Sequence, residues 1–103
     1  MVKTLYFTLE GPDIIYNGMV DDETPATMGF YQCRFDLSDP SWIGCTILAE
    51  FNDNEAEILH NGICELPDKY VFREYFTIRV YGVRGKNYRQ RSNLTIVRMP
   101  GDI

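Results

Sequence analysis

The residue types best suited to binding in this chain lie between positions 84 and 91. The segment reads Arg84-Gly-Lys-Asn-Tyr-Arg-Gln-Arg91 and places four cations around one tyrosine. Guanidinium and ammonium groups bind phosphates and carboxylates, and a tyrosine ring stacks on a nucleic-acid base. Three interpretations are open: solvated charges of a turn, a protein-contact surface, or a nucleic-acid contact. The candidate contact residues are Arg84, Lys86, Tyr88, Arg89 and Arg91.

The distribution of charge bears on the choice of partner. The chain of 103 residues has a net charge of −5 and a pI near 4.7. Residues 1–68 hold thirteen acidic and two basic side chains, whereas residues 69–98 hold eight basic and one acidic. An acidic domain is opposite to the usual nucleic-acid-binding protein, so we do not expect nucleic acid as a partner. Either folding interleaves the two halves, or separate charged patches contact other proteins or copies of the same chain.

The sequence carries no recognisable motif for catalysis or metal binding. His60 is the only histidine and falls in an expected turn, which supports neither a zinc site nor a histidine-dependent triad. The serines at 38, 41 and 92 also fall in expected turns, without a nucleophile elbow. The acidic stretch 21–25 lacks the spacing of a calcium-binding loop, and we interpret it as a solvated loop. We therefore expect no enzymatic activity, no cofactor and no metal.

Cysteine usage and hydropathy indicate the environment of the chain. Cys33, Cys45 and Cys64 are odd in number and lack C-x-x-C spacing, so we expect buried free thiols and a reducing environment. No apolar run approaches the ~18 residues needed to cross a bilayer. The first ten residues alternate like a strand and lack a signal-peptide cleavage site. We expect no contact with a membrane.

Alternation of apolar and polar residues with a period of two predicts strands along nearly the whole chain. Turn residues separate the strands, a hairpin closes around residues 84–92, and a single helical turn is expected near 68–72. The pattern predicts an all-β fold: one domain over residues 1–103, forming an antiparallel, immunoglobulin-like β-sandwich of about seven to eight strands. The predicted strands cover residues 2–10, 14–20 (an edge strand), 29–37, 42–52, a short run from 56, 63–66, 75–83 and 94–97.

Two of these strands identify the expected core. Trp42 is expected to anchor it. Cys33 followed by Trp42 matches half of the Cys…Trp…Cys pattern of immunoglobulin domains, but the strand at 75–83 has no cysteine, so we predict no central disulfide. The inward positions are predicted to be Tyr31, Cys33, Phe35 and Leu37 in one strand, and Ile43, Cys45, Ile47, Ala49 and Phe51 in the next.

Several short segments over about residues 28–99 resemble one group of known proteins. They are Trp42-Ile43, Ala49-Glu-Phe51, Asn61-Gly-Ile-Cys-Glu-Leu-Pro67, Tyr75-Phe-Thr-Ile-Arg-Val-Tyr-Gly-Val-Arg-Gly85 and Arg91-Ser-Asn-Leu-Thr-Ile-Val97. Together they resemble the small immunoglobulin-like sandwich modules in structural proteins of tailed bacteriophages and prophages. The resemblance implies a non-enzymatic component of the virion, either a capsid decoration protein or part of the neck, baseplate or fibre. Its implied partners are other virion proteins, with self-association as a further option.

Two alternatives belong to other classes of protein. A carbohydrate- or receptor-binding module would use Tyr31, Trp42, Tyr81 or Tyr88 as a stacking platform, which requires several aromatic side chains exposed on one face. A small intracellular enzyme or inhibitor would need a concave pocket in which polar groups converge.

Overall fold

The computed structural model describes residues 2–22, 31–53, 55–71, 73–86 and 88–99. Over these residues the chain is almost entirely β, which confirms the predicted fold class. The short α-helix α1 (Asp68–Val71) confirms the helical turn expected near residue 68, and a 3-10 helix spans Pro40–Trp42. The nine strands are β1 (Val2–Glu10), β2 (Asp13–Asp22), β3 (Tyr31–Asp36), β4 (Thr46–Phe51), β5 (Glu55–Ile58), β6 (Ile63–Glu65), β7 (Tyr75–Arg84), β8 (Tyr88–Arg91) and β9 (Thr95–Arg98).

The strands form two sheets. The first has the order β2-β1-β3-β6, and the second has the order β5-β4-β7, with β8 and β9 both pairing with β7. All pairs are antiparallel except β1 with β3, which makes the first sheet mixed rather than purely antiparallel. The register explains this difference from the predicted antiparallel arrangement. β2 ends opposite Val2 and β3 begins opposite Lys3, so the two strands lie on either side of the start of β1, and β3 runs in the direction of β1.

The core lies between the two sheets, as the period-two pattern predicts. The inward-facing apolar residues of β1 and β7 are at most 1% exposed; they are Leu5, Phe7, Leu9, Phe76, Ile78 and Val80. The ring of Phe7 stacks on that of Phe35 with centroids 4.8 Å apart, and Tyr70 of α1 packs on Phe51 and Phe76 at the other end. The most completely buried large side chains are Trp42, Tyr70, Phe7, Phe51, Phe76, Leu5, Leu9, Leu66, Ile78, Val80 and Val97.

The strand β2 is longer than predicted. Asp21 and Asp22, expected in a loop, are its last residues and pair with Lys3 and Val2 of β1. The short turn after Glu10 starts the pairing at the end of β1, and the hairpin then continues along the whole of β1. The predicted loop residues 23–25 lie outside the described residues.

Trp42 was expected to begin a long strand, and that prediction is wrong. The residue instead ends a 3-10 helix in which Pro40 occupies the first turn and the carboxylate of Asp39 accepts a hydrogen bond from the Ser41 N–H at 2.9 Å. Proline lacks a backbone N–H and suits the first turn of a helix, and Asp is a favoured N-cap. Trp42 is only 2% exposed, which confirms its predicted role as a core anchor.

The alternation assigned to residues 43–51 holds only for the part that is a strand. Ile47, Ala49 and Phe51 are buried as predicted, whereas Ile43 is 58% exposed and Cys45 is half-buried. Gly44 adopts a φ of 82°, which L side chains rarely tolerate, and the backbone reversal there interrupts the two-residue period. The inward prediction for Ile43 is therefore wrong.

All three cysteines are free, in agreement with the predicted absence of a central disulfide. Cys33 and Cys64 are buried directly opposite each other on β3 and β6. Burial, and then the hydrogen bond with Cys64, raise the pKa of the Cys33 thiol well above its usual range. Cys33 is accordingly a poor nucleophile in the folded chain.

Candidate contact surface

The predicted hairpin is formed by β7 and β8, and its register separates the candidate cations. Tyr81 pairs with Arg91, Val83 with Arg89, and Arg84 with Tyr88. Successive residues of a strand point to opposite faces of its sheet, so Arg89 and Arg91 share one face while Arg84 lies on the other. Lys86 is exposed in the turn. The side chain of Tyr88 lies outside the described part of the structure.

The core-side face of the hairpin is fixed by hydrogen bonds to the segment that contains Trp42. Arg84 Nη1 donates to the carbonyl oxygen of Ile43 at 3.2 Å, and Gln90 Nε2 donates to that of Ser41 at 2.7 Å. The indole Nε1 of Trp42 donates in turn to the Gly11 carbonyl at 2.8 Å. Arg84 therefore positions the hairpin, whereas Arg89 and Arg91 remain exposed on the opposite face.

Arg89 and Arg91 belong to a surface that crosses the whole second sheet. One row of paired residues runs Ile58, Leu48, Tyr81 and Arg91 over β5, β4, β7 and β8. A parallel row runs Thr46, Val83 and Arg89. We call this surface the outer face, and its residues are Thr46, Leu48, Glu50, Ala56, Ile58, Tyr75, Thr77, Arg79, Tyr81, Val83, Arg89, Arg91, Ile96 and Arg98.

The outer face exposes several large apolar side chains. Ile58 is 52% exposed, and Tyr75 and Ile96 are more than half exposed farther along the sheet. In β5 the acidic residues Glu55 and Glu57 take the core-side positions opposite Phe51 and Ala49, and Ile58 is directed to the outer face. Inward-facing charges on an edge strand hinder pairing with another strand. Because the glutamates of β5 take the core-side positions and Ile58 faces outward, β5 also adds apolar area to the outer face.

The outer face is also positively charged. It carries four arginines and one carboxylate, Glu50, whose Oε1 accepts a hydrogen bond from the Tyr81 hydroxyl at 3.1 Å. Arg79 Nη2 lies 3.6 Å from Asp53 Oδ1, and its Nε is shielded from solvent without a hydrogen-bond partner among the described residues. Among the residues that the structure describes, neither Arg89 nor Arg91 forms an ion pair. Arg89 and Arg91, both on β8, can therefore bind a carboxylate of a partner protein.

Three of the four residues proposed for a carbohydrate-binding platform are not exposed, and the side chain of the fourth, Tyr88, lies outside the described part of the structure. Trp42 is buried, Tyr31 is half-buried in the first sheet, and Tyr81 is half-buried in the second. Tyr75 is the exposed aromatic residue on the outer face, and sequence reasoning missed it. The sequence did hold a signal for this exposure. Tyr75 directly precedes the inward-facing Phe76, and the neighbour of an inward-facing strand residue faces outward.

The alternative of an enzyme or inhibitor requires a pocket in which polar groups converge. An open recess of about 400 Å³ is lined by Asn52, Arg73, Glu74 and Tyr75, which offer no imidazole, thiol or aliphatic hydroxyl. Over the described ranges, no three His, Cys, Asp or Glu side chains are grouped to hold a metal ion. His60 forms a β-bridge with Ile63 in the predicted turn region. No helix in the described part of the chain is long and apolar enough to span a membrane.

No protein-family model, curated protein or solved structure matches the chain significantly. The function must therefore be argued from the outer face and from the resemblance found in the sequence.

Proposed function

We propose that this chain is a non-enzymatic interaction module that binds a partner protein through its outer face. The observation that carries the proposal is the apolar row of Ile58, Leu48 and Tyr81 across three strands, in which Ile58 is exposed and Leu48 and Tyr81 are half-buried. Covering the exposed half of Ile58 alone would contribute about 2 kcal/mol of apolar burial. The structure leaves that free energy to be gained by binding.

The arginines beside this row define the chemistry of the partner. Arg89 and Arg91 lie next to Val83 and Tyr81 on the outer face. Arginine and tyrosine are enriched at the centres of protein interfaces, where apolar contact and charge-assisted hydrogen bonds combine. A partner surface with carboxylates around an apolar centre matches this arrangement.

The resemblance to tailed-phage sandwich modules supports a more specific role. Under this proposal the chain is a virion accessory protein, either decorating the capsid or attached to the tail or fibre. It would be made in the bacterial host cytoplasm and reside in the virion, with other virion proteins as partners. The short edge strands and the braced hairpin fit a rigid module in a repeated assembly.

Charge reversal at the hairpin tests the proposal. The purified chain is mixed with phage particles and centrifuged, and the Arg89→Glu, Arg91→Glu variant is compared with the unmodified chain. We expect the unmodified chain to sediment with the particles and the variant to remain in the supernatant with an unchanged circular dichroism spectrum, because both side chains are exposed.

A variant with Lys69→Glu and Arg73→Glu makes the same change of charge outside the outer face and is the charge control. Because Lys69 pairs with Glu55 and both cations lie over the Tyr70 ring, a thermal melt of this variant is recorded to verify that it is folded. Loss of sedimentation only in the hairpin variant supports the proposal. Equal sedimentation of the hairpin variant would show that the outer face is not the contact. If the unmodified chain ignores the particles, the virion role is refuted.

A further inference from the structure

The chain carries a second surface whose charge is opposite to that of the outer face. We propose that the outer face of one copy docks on the acidic end of the first sheet of a second copy, so that copies associate head to tail. This inference rests on the proposed function and names the partner as a second copy. The acidic patch consists of Glu10, Asp13 and Asp36 together with Ile15.

The register of the first sheet places these four residues on one outward surface. Glu10 pairs with Asp13, and Thr8 pairs with both Ile15 and Asp36. The three acidic residues are exposed, and Ile15 is 41% exposed. The patch therefore combines carboxylates with an aliphatic side chain.

Two of the carboxylates are held in place before any partner arrives. Asp36 Oδ1 accepts a hydrogen bond from the Ser38 N–H at 3.0 Å, and Asp13 Oδ1 accepts one from Asn93 Nδ2 at 2.9 Å. Each carboxylate keeps further acceptor capacity for an arginine. Fixing a side chain beforehand reduces the entropy lost on association.

Charge decides between the geometries that a pair of copies could adopt. Two outer faces in contact would set four arginines against four arginines, and two acidic patches would set carboxylates against carboxylates. Like charges brought together at an interface disfavour the complex. An outer face against an acidic patch instead pairs an arginine-rich surface with a surface that has three carboxylates and one nearby cation, Arg34.

The positions of the two surfaces determine the form of the assembly. The outer face belongs to the second sheet and the acidic patch to the first, so the surfaces point away from each other across the sandwich. A copy bound at one surface leaves its own second surface free. Such heterologous contacts produce rings when the rotation closes and open stacks when it does not.

The expected affinity is modest. Four strands of the second sheet meet only at the row of Ile58, Leu48, Tyr81 and Arg91, and the acidic patch covers the ends of three strands, so the contact is small. Interfaces below about 1,200 Å² are typical of weak, transient association. We expect association at micromolar or higher concentrations and weakening as salt screens the charged pairs.

Two neutralising variants test the geometry by sedimentation velocity. The outer-face variant carries Arg89→Gln and Arg91→Gln, and the patch variant carries Glu10→Gln and Asp36→Asn. We expect the unmodified chain to exceed its 12.0 kDa monomer mass as concentration rises, and each variant alone to stay monomeric. An equal mixture should form a heterodimer of about 24 kDa, twice the 12.0 kDa chain mass, and stop there because each variant retains one functional surface.

Control variants remove the same charges elsewhere, with Lys69→Gln and Arg73→Gln for the cations and Asp68→Asn and Glu74→Gln for the carboxylates. These controls should associate like the unmodified chain. Variants that do not combine on mixing would indicate a symmetric contact and overturn the head-to-tail arrangement. An unmodified chain that stays monomeric while still binding particles would overturn self-association and leave the proposed function standing. If the chain bound single-stranded DNA and did not self-associate, the head-to-tail proposal would also be overturned.

Discussion

The contact between Gly82 and Trp42 permits a quantitative prediction. A Cβ atom added at Gly82 would lie 3.0 Å from Trp42 Cζ3, 3.1 Å from Cε3 and 3.3 Å from the Cβ of Cys45. Carbon atoms in favourable contact are about 3.5 to 4.0 Å apart. The indole ring has little freedom to withdraw, because it is buried and its Nε1 is hydrogen-bonded to Gly11. The substitution Gly82→Ala should therefore strain the core.

Two opposing effects set the size of the change. Adding a methyl group to a packed core usually costs about 1 to 3 kcal/mol. Replacing glycine by alanine restricts the unfolded chain and returns about 0.4 to 1 kcal/mol. We expect the free energy of unfolding to fall by about 1 to 2 kcal/mol. For a domain of this size, each kcal/mol corresponds to a fall in melting temperature of about 4 to 8 °C.

Urea unfolding monitored by fluorescence measures this effect directly, since Trp42 is the only tryptophan. The same substitution made in a Trp42→Phe background, followed by circular dichroism, supplies the control. The smaller phenyl ring leaves room for the methyl group, so Gly82→Ala should cost at least about 1 kcal/mol less there. An unchanged or raised urea midpoint, or an equal cost in both backgrounds, would refute the reasoning.

Two further predictions concern polar groups that brace the fold. Ser92 is 3% exposed, its Oγ accepts a hydrogen bond from the Val80 N–H at 3.0 Å and donates one to the Asn93 carbonyl at 2.8 Å. Ser92→Ala should therefore lower the free energy of unfolding in urea by about 1 to 3 kcal/mol, and a loss below about 0.5 kcal/mol would show that the bonds are readily replaced. Hydrogen bonds from the Ser41 hydroxyl, the Ser41 N–H and the Gly11 N–H lower the pKa of Asp39, so its stabilising contribution is complete above the unfolded-state pKa and is lost as the pH falls below about 4. Asp39→Asn should be less stable than the unmodified chain at pH 7 in thermal melts, with the difference shrinking in acid; a constant difference would contradict the assignment.

Much of the fold could be predicted because the inward side of a strand repeats every second residue. The pattern located the buried residues Ile47, Ala49 and Phe51 of β4 correctly. It failed at Ile43, where a glycine with positive φ separates a 3-10 helix from the strand that follows. Alternation identifies two faces only while the backbone stays extended.

Strand neighbours could not be predicted in the same way. The parallel pairing of β1 with β3 joins strands that are far apart in the sequence, which a local pattern does not encode. The candidate surface shows the same limit. The sequence selected Arg89 and Arg91, but the row that contains Arg91 also contains Ile58 and Leu48, more than thirty residues earlier in the chain. Only the register of the second sheet brings them together.

The register also explains what becomes of the charge segregation in the sequence. Where β7 pairs with β4, folding interleaves the two halves: Arg79 lies beside Asp53, and Tyr81 donates to Glu50. On the other side of β7, β8 pairs with β7 alone among the described residues. Arg89 and Arg91 therefore keep their charge on an open edge of the sheet. Folding therefore interleaves the two halves at β4 and leaves the cations of β8 exposed, so position in the sheet, rather than the number of cations, determines which of the described arginines remain unpaired.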